Sequence, residues 1–388
     1  MGTFGFSTEK LKNIESYLQE KYIDTNRYVG TLTGIYRNDQ LGFISNLGLM
    51  DRESRKPIER DTIFRIYSMT KPITSVALMS LYEKGLFQLD DPVSEYIPAF
   101  KDLNVYAEGI FGNYKTTYPD REMTIRDLLS HQSGLTYGFM ERSNVDAAYR
   151  ELGIEKESQQ NLQEFVAVLS SIPLEFSPGT AWNYSVSTDV CGYLIEVISG
   201  KTLDMFLEEE IFQPLGMSDT GFYVPSSKTR RLSSNYEYKE GQEPILVDDA
   251  NTGSYINPPT LFSGGGGLVS TLDDYMAFCK MVLGRGSLEG HRILSRKTLD
   301  LMSSNHLTNG EDLRSCAYGR WSETSYTGVG FGLGFSVLLD PAASQISGSK
   351  GELAWGGAAS TAFWIDPLED MAVVFLTQLI PSSTYNVR

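Results

Sequence analysis

Cysteine is scarce in this chain, and Cys191, Cys279 and Cys316 are odd in number and far apart. That spacing excludes a disulfide framework and offers no CxxC metal site, so the three read as buried thiols in a reducing compartment. Histidine is equally rare; His131, His291 and His306 are too scattered to suggest a metal cluster, and each reads as structural. No apolar run reaches the roughly 18 residues that a membrane span needs. The opening Met1-Gly2-Thr3-Phe4-Gly5-Phe6 lacks both the basic and the apolar stretch of a secretion signal, so a cytoplasmic location is expected. Positive charge is in deficit. A net charge of −16 and a pI near 4.7 argue against nucleic acid and anionic membrane surfaces as partners, and the excess reads as a solubilising surface.

The chain does have enough apolar residues to bury a large core: 388 residues, 41% hydrophobic, make one big domain or two. Its most informative feature is Ser68 followed three positions later by Lys71, in Tyr67-Ser68-Met69-Thr70-Lys71-Pro72. On a helix, residues three apart share a face, so the lysine amine can reach the hydroxyl and take its proton. The same spacing occurs at Ser7/Lys10 and Ser347/Lys350, and context separates the three. After Ser68 come apolar residues at Ile73, Val76, Ala77, Leu78 and Leu81, the period of a buried helix, ending at Glu83-Lys84-Gly85 with a glycine suited to a C-terminal cap. Pro72 is tolerated only in the first turn, so the helix starts near Ser68 and leaves that serine at a positive helix end. Ser7 instead reads as the N-cap of an amphipathic helix from Ser7 to Lys21, and Ser347/Lys350 as part of a Gly/Ser-rich turn.

Tyr28 to Tyr36 and Leu41 to Leu49 are β-prone runs joined by Arg37-Asn38-Asp39, a hairpin signal. Val329 to Leu339, Thr361 to Ile365 and Met371 to Gln378 read as three more strands. Candidate helices between them are Ile125 to Ser130, Leu162 to Ser170, Thr188 to Ile198, Thr202 to Ile211 and Leu272 to Leu283. Strands at both ends with helices between predict an α+β fold: a central antiparallel sheet built from both chain ends, flanked by helices, with an inserted helical region. The expected division is an α/β domain of residues 1–95 and 215–388 and a mainly helical domain of residues 96–214. Gly264 to Gly267 reads as a tight turn, because no Lys-Ser/Thr follows it as in a phosphate loop.

A reactive Ser–Lys pair needs a further proton carrier and a second oxyanion donor. Tyr184, in Pro178-Gly179-Thr180-Ala181-Trp182-Asn183-Tyr184-Ser185-Val186, stands at the mouth of a helix. Ala354-Trp355-Gly356-Gly357-Ala358 puts a glycine pair on a strand where backbone can approach a ligand. These pieces, in this order, resemble the serine β-lactamase/penicillin-binding-protein superfamily, specifically class C β-lactamases and the family VIII carboxylesterases. Leu128-Leu129-Ser130-His131-Gln132-Ser133-Gly134-Leu135, Ile211-Phe212-Gln213-Pro214-Leu215-Gly216-Met217 and Gly265-Gly266-Gly267-Leu268-Val269-Ser270-Thr271 are similar to segments of that family too. The resemblance implies a β-lactamase-like fold, Ser68 as nucleophile, Lys71 as its proton-accepting neighbour and Tyr184 as proton shuttle to the leaving group. It places the backbone N–H groups of Ser68 and Ala358 in the oxyanion hole and makes Trp355, Gly356 and Gly357 substrate-binding.

The departures from the family pattern carry information as well. Class C β-lactamases have Tyr-x-Asn where this chain has Tyr184-Ser185-Val186, and Lys-Thr-Gly where it has Trp355-Gly356-Gly357. Both changes favour an uncharged, apolar ester over an anionic lactam. Tyr255-Ile256-Asn257 does match Tyr-x-Asn but lies in a Pro-rich loop far along the chain and reads as coincidence. No Gly-x-Ser-x-Gly elbow is present, which argues against the α/β-hydrolase route to an esterase. Related proteins usually close with a helix after the last strand, whereas this sequence ends at Arg388. The expected activity is therefore hydrolysis of carboxylic esters of short to medium acyl chain through a Ser68 acyl-enzyme, with Lys71 or Tyr184 as the base. No cofactor or metal is required, and the partner is a small-molecule ester. The alternatives are a β-lactamase or D-amino-acid amidase, an acyltransferase, and a member that binds ligand without turnover.

Overall fold

The structure is a computed structural model that describes residues 5–154, 160–319 and 323–387. Its organising element is an eight-stranded, wholly antiparallel sheet. The strands are β1 (Gly30–Arg37), β2 (Gln40–Asp51), β3 (Lys56–Pro57), β4 (Val329–Phe331), β5 (Ser336–Leu338), β6 (Leu353–Gly356), β7 (Ala362–Asp366) and β8 (Met371–Leu376). They run in the order β4-β5-β6-β7-β8-β1-β2-β3, so the sheet is assembled from both ends of the chain. The seam is β1 against β8, with Leu32 opposite Leu376 and Ile35 opposite Val373.

Strand period two explains why β1 is buried almost throughout. Leu32 and Tyr36 point into the main core with Leu272 and Val374. Ile35, on the opposite face, packs with Leu11 of the helix Thr8–Leu18 and with Val373. The β1–β2 turn is short because Asn38 (φ 50°) and Asp39 (φ 60°) both adopt left-handed backbone, which these two residue types tolerate.

The expected hairpin at 28–49 and the helix Leu272–Leu283 are found. So are helices at Ile125–Leu129, Leu162–Leu169 and Ser187–Ser199, each within two residues of its expected bounds. Two expectations need correction. The single strand read from Val329 to Leu339 is two, β4 and β5, which pair with each other because the chain reverses at Gly332-Leu333-Gly334, where Gly334 has φ 97°. The helix read from Thr202 to Ile211 is α-helical only over Leu203–Leu207 and continues as a wider π-turn through Glu208–Phe212. The segment 96–214, read as mainly helical, holds the helices Asn144–Leu152, Leu162–Leu169 and Ser187–Ser199 and also a hairpin of Val105–Ile110 with Asn113–Thr117. Among the described residues, no helix is long and apolar enough to cross a membrane.

Candidate active site

The chain enters the site along Phe64–Arg65, passes through a 3₁₀ turn at Tyr67–Met69 that contains Ser68, and continues as the helix Thr70–Glu83. Pro72 sits in that helix's first turn, and Gly85 (φ 72°) follows its C-cap Lys84. Tyr67 has φ 43°, an uncommon conformation for a bulky side chain, and its hydroxyl accepts a bond from Asn235 Nδ2 at 2.9 Å. Below it Arg65 is wholly buried, bonded to Asp248 at 2.7 Å, so the segment bearing Ser68 is anchored from beneath.

Lys71 is 1% exposed. Its Nζ donates to the Gly265 carbonyl at 2.6 Å, to the Tyr137 hydroxyl at 2.8 Å and to Ser68 Oγ at 3.3 Å. Among the described residues these three contacts match the three donors of an ammonium. Once neutral, the amine keeps two donors for the two short bonds and turns its lone pair along the third, toward Ser68. The Tyr184 ring lies 4.5 Å from Nζ, a cation–π contact.

Tyr184 is fully buried three residues before the helix Ser187–Ser199. Burial pushes its phenol well above the ordinary tyrosine range; the negative charge of Glu323 adds to this, while interactions with Ser68 and the Trp355 indole oppose it. His131 packs 5.1 Å from the Tyr184 ring, with Nδ1 3.2 Å from Ser185 Oγ. Burial, and then the charge of Lys71, push its pKa far down, so it is a neutral wall of the site.

Beside Ser68 the backbone makes a close approach. A Cβ on Gly357 would lie 2.4 Å from the Ile66 carbonyl, so only glycine lets the end of β6 run against the segment carrying Ser68. This brings Ala358 and Ser68 to one cavity. Among the described residues, neither the Ser68 nor the Ala358 N–H has a protein acceptor, as donors awaiting an oxyanion would be.

That cavity measures about 530 Å³. Besides Ser68 and Ala358 its walls include Tyr137, Phe139, Ile154, Phe165, Val186 and Leu261, with Asp189 as the carboxylate among the lining residues. Trp355, Gly356 and Gly357, read as substrate-binding, are not among the lining residues. Trp355 is 2% exposed and stands behind Tyr184, ring to ring at 5.3 Å. Of the other Ser-x-x-Lys pairs, Ser7 is an N-cap accepting from the Lys10 N–H at 3.4 Å, and Ser347 and Lys350 are exposed on a turn. Tyr255 lies in a separate cluster beneath Arg65, away from the cavity. Sequence reasoning missed Tyr137 and Asp189; Tyr137 lies two residues beyond a family-like segment, which was its one available signal. Among the described residues, no group of three or more His, Cys, Asp or Glu is gathered as for a metal.

Fold and site define a class: serine enzymes in which a Ser-x-x-Lys pair at a helix start faces an antiparallel sheet across a cavity, with a tyrosine between them. The chain belongs to the β-lactamase family, whose sequence profile matches residues 14–386. It is 30% identical to Esterase EstB of Burkholderia gladioli over 90% of this chain and 86% of that protein. It is 34% identical to Protein Rv1367c of Mycobacterium tuberculosis, with 92% and 88% covered. Among solved structures it superposes on EstCE1, described as a hydrolase with promiscuous acyltransferase activity, with a TM-score of 0.79 and 29% identity, covering 96% of this chain and 94% of the other. The resemblance to the family VIII esterases of the serine β-lactamase superfamily is thereby borne out.

Proposed function

We propose that the protein is a serine hydrolase of small, uncharged carboxylic esters, working through a Ser68 acyl-enzyme. The observation that carries this reading is the three-way hold on Lys71, whose long third bond is the one to Ser68. In the first step Lys71, as the neutral amine, takes the Ser68 proton while Oγ forms a bond to the ester carbonyl carbon. The carbonyl oxygen becomes an oxyanion between the N–H groups of Ser68 and Ala358. Burial keeps the Tyr184 phenol protonated, which supports Tyr184 as the donor that protonates the departing alcohol, rather than as a phenolate base. Its proton is restored from Lys71, whose Nζ lies 4.5 Å from the centre of the Tyr184 ring. Water then attacks the acyl carbon and gives up a proton that passes through Tyr184 and Lys71 to Ser68 Oγ as the acyl–oxygen bond breaks, which releases the acid and leaves the serine protonated and the amine neutral again.

The apolar walls suit an acyl group of short to medium length. An alcohol in place of water would give acyl transfer instead. The description of EstCE1 and the name of a 28% identical relative, a monacolin J acid methylbutanoyltransferase of Aspergillus terreus, favour that as a second activity of the same site.

The test is p-nitrophenyl butyrate turnover by wild type and Ser68→Ala, with fluorophosphonate labelling and peptide mapping. Wild-type turnover, its loss in Ser68→Ala and label on Ser68 are expected. Label on another serine, or more than a few per cent of the rate left in Ser68→Ala, overturns the reading.

A further inference from the structure

Asp189 lies in the first turn of the helix Ser187–Ser199, is 4% exposed and lines the cavity, and no sequence motif marks it. Among the described residues it makes no ion pair, although an unpaired buried carboxylate is costly. Its Oδ1 accepts the Ser263 hydroxyl at 2.5 Å and the Gly265 N–H at 3.0 Å. The other side of Gly265 faces the chemistry, where its carbonyl accepts Lys71 Nζ at 2.6 Å. The adjacent Gly264 carbonyl accepts the Thr74 hydroxyl at 2.8 Å, one helical turn after Lys71. The glycine loop is thus clipped between two helices, by Asp189 on one side and by Lys71 and Thr74 on the other. The fit leaves no room for a side chain: a Cβ on Gly265 would lie 2.4 Å from Asp189 Oδ2.

We propose that Asp189 is a positioning residue for the Ser68–Lys71 pair, fixing through Gly265 the carbonyl that orients the lysine amine and placing a negative charge behind it. This rests on the ester-hydrolase reading. Burial pushes the Asp189 carboxyl up, and the charge of Lys71 is the first influence opposing that rise, so the two groups feel each other across the loop. Among the described residues, the other titratable groups at Lys71 are Tyr137 and Tyr184, bonded to or packed on the amine, and the neutral His131; Glu323 acts on Tyr184. Among the described residues, Asp189 is a carboxylate whose charge and that of the amine act on each other. Its charge favours the protonated lysine and so sets the pH at which the base becomes available.

Two variants separate orientation from charge. Asp189→Asn keeps an oxygen that can accept from Ser263 and Gly265 but removes the charge, whereas Asp189→Ala removes both. Asp189→Ala should lower kcat for p-nitrophenyl butyrate about a hundredfold with KM little changed, the scale expected when a catalytic group is misplaced by about an ångström. Asp189→Asn should recover much of that kcat and move the acid limb of the kcat/KM profile to lower pH by about one unit, because the lysine loses its proton more readily without the anion. The pH profile of fluorophosphonate labelling at Ser68 should shift equally, and it reads serine activation without any ester. Wild-type kcat per titrated site in Asp189→Ala, or an unmoved acid limb in Asp189→Asn, overturns the proposal; if Asp189→Ala does not fold, the Asp189→Asn limb decides. Absence of ester turnover in wild type counts instead against the ester-hydrolase reading, and the labelling profile then still judges Asp189.

Discussion

Tyr137 holds the Lys71 amine more closely than Ser68 does, at 2.8 Å against 3.3 Å. The consequence is geometric. With one N–H committed to the phenol and another to the Gly265 carbonyl, the amine is held beside the serine, whose Oγ is its third hydrogen-bond partner among the described residues. Tyr137 also lines the cavity and stacks on Phe139 with ring centroids 4.7 Å apart, so its ring has packing that does not depend on the hydroxyl.

Tyr137→Phe should therefore fold normally and lose one charge-assisted hydrogen bond, worth about 1.5–3 kcal/mol. That corresponds to a fall of roughly one to two decades in kcat/KM. Steady-state kinetics on p-nitrophenyl butyrate, beside the melting temperature, checks it. Unchanged kinetics would show that Gly265 alone suffices to hold the lysine.

A larger loss is expected where the proton itself moves. Lys71→Ala and Tyr184→Phe should each slow turnover by about two to four orders of magnitude, the range of general acid–base catalysis. His291, exposed on a short hairpin, should tolerate alanine. His131→Ala should instead reduce stability, since the ring is packed against Tyr184, Trp182 and Phe331. Most of the wild-type rate surviving in Tyr184→Phe would move the donor role elsewhere.

The parts of this site that could be read in the sequence are those carried by local periodicity or by an ordered motif. Ser68 and Lys71 share a helix face, Pro72 fixes where that helix begins, and Tyr184 follows a recognisable run. Tyr137 lies 66 residues from Lys71, and Asp189 lies 76 residues from Gly265. Their roles exist only through tertiary contact. The glycine run at 264–267 is the turn that the sequence indicated, but its contact with Lys71 was not legible, because a backbone carbonyl acting as an acceptor leaves no side-chain signature. In the fold, alternating apolar strands declared β1, β2, β7 and β8, whereas β4 and β5 merged into one run because Leu333 and Phe335 keep the segment apolar through its reversal. Trp355 followed the family's strand motif, but its burial behind Tyr184 depends on Phe331, 5.3 Å away on β4, which no local pattern could supply.

A pH effect unrelated to catalysis should arise at Glu352. Burial, and then the charge of Asp366, push its carboxyl up to about 7. Between the ordinary glutamate pKa and that value the folded chain binds a proton that the unfolded chain has lost, so stability falls as pH rises across this window. The full effect is on the order of 3 kcal/mol above pH 7. Glu352→Gln should match wild type in urea midpoint near pH 4 and exceed it near pH 8. Equal midpoints at both pH values would contradict the burial argument.

Substrate charge gives the last prediction. Among the described residues no lysine or arginine lines the cavity, and its lining carboxylate is Asp189. A β-lactam brings a carboxylate of its own. Trp355 stands where the family's lysine would be, and Val186, which does line the cavity, offers no amide to hold a lactam substituent. Losing one charge-assisted contact costs about 1.5–3 kcal/mol, or roughly one to two decades in rate constant. Repulsion from Asp189 adds to this. Purified protein should thus show a much higher kcat/KM on p-nitrophenyl butyrate than on a chromogenic cephalosporin. Asp189→Asn should narrow that gap, since it removes the repelling charge while the neutral ester gains nothing from its removal in binding. Equal or better efficiency of the wild type on the cephalosporin would turn the assignment from ester to lactam hydrolysis.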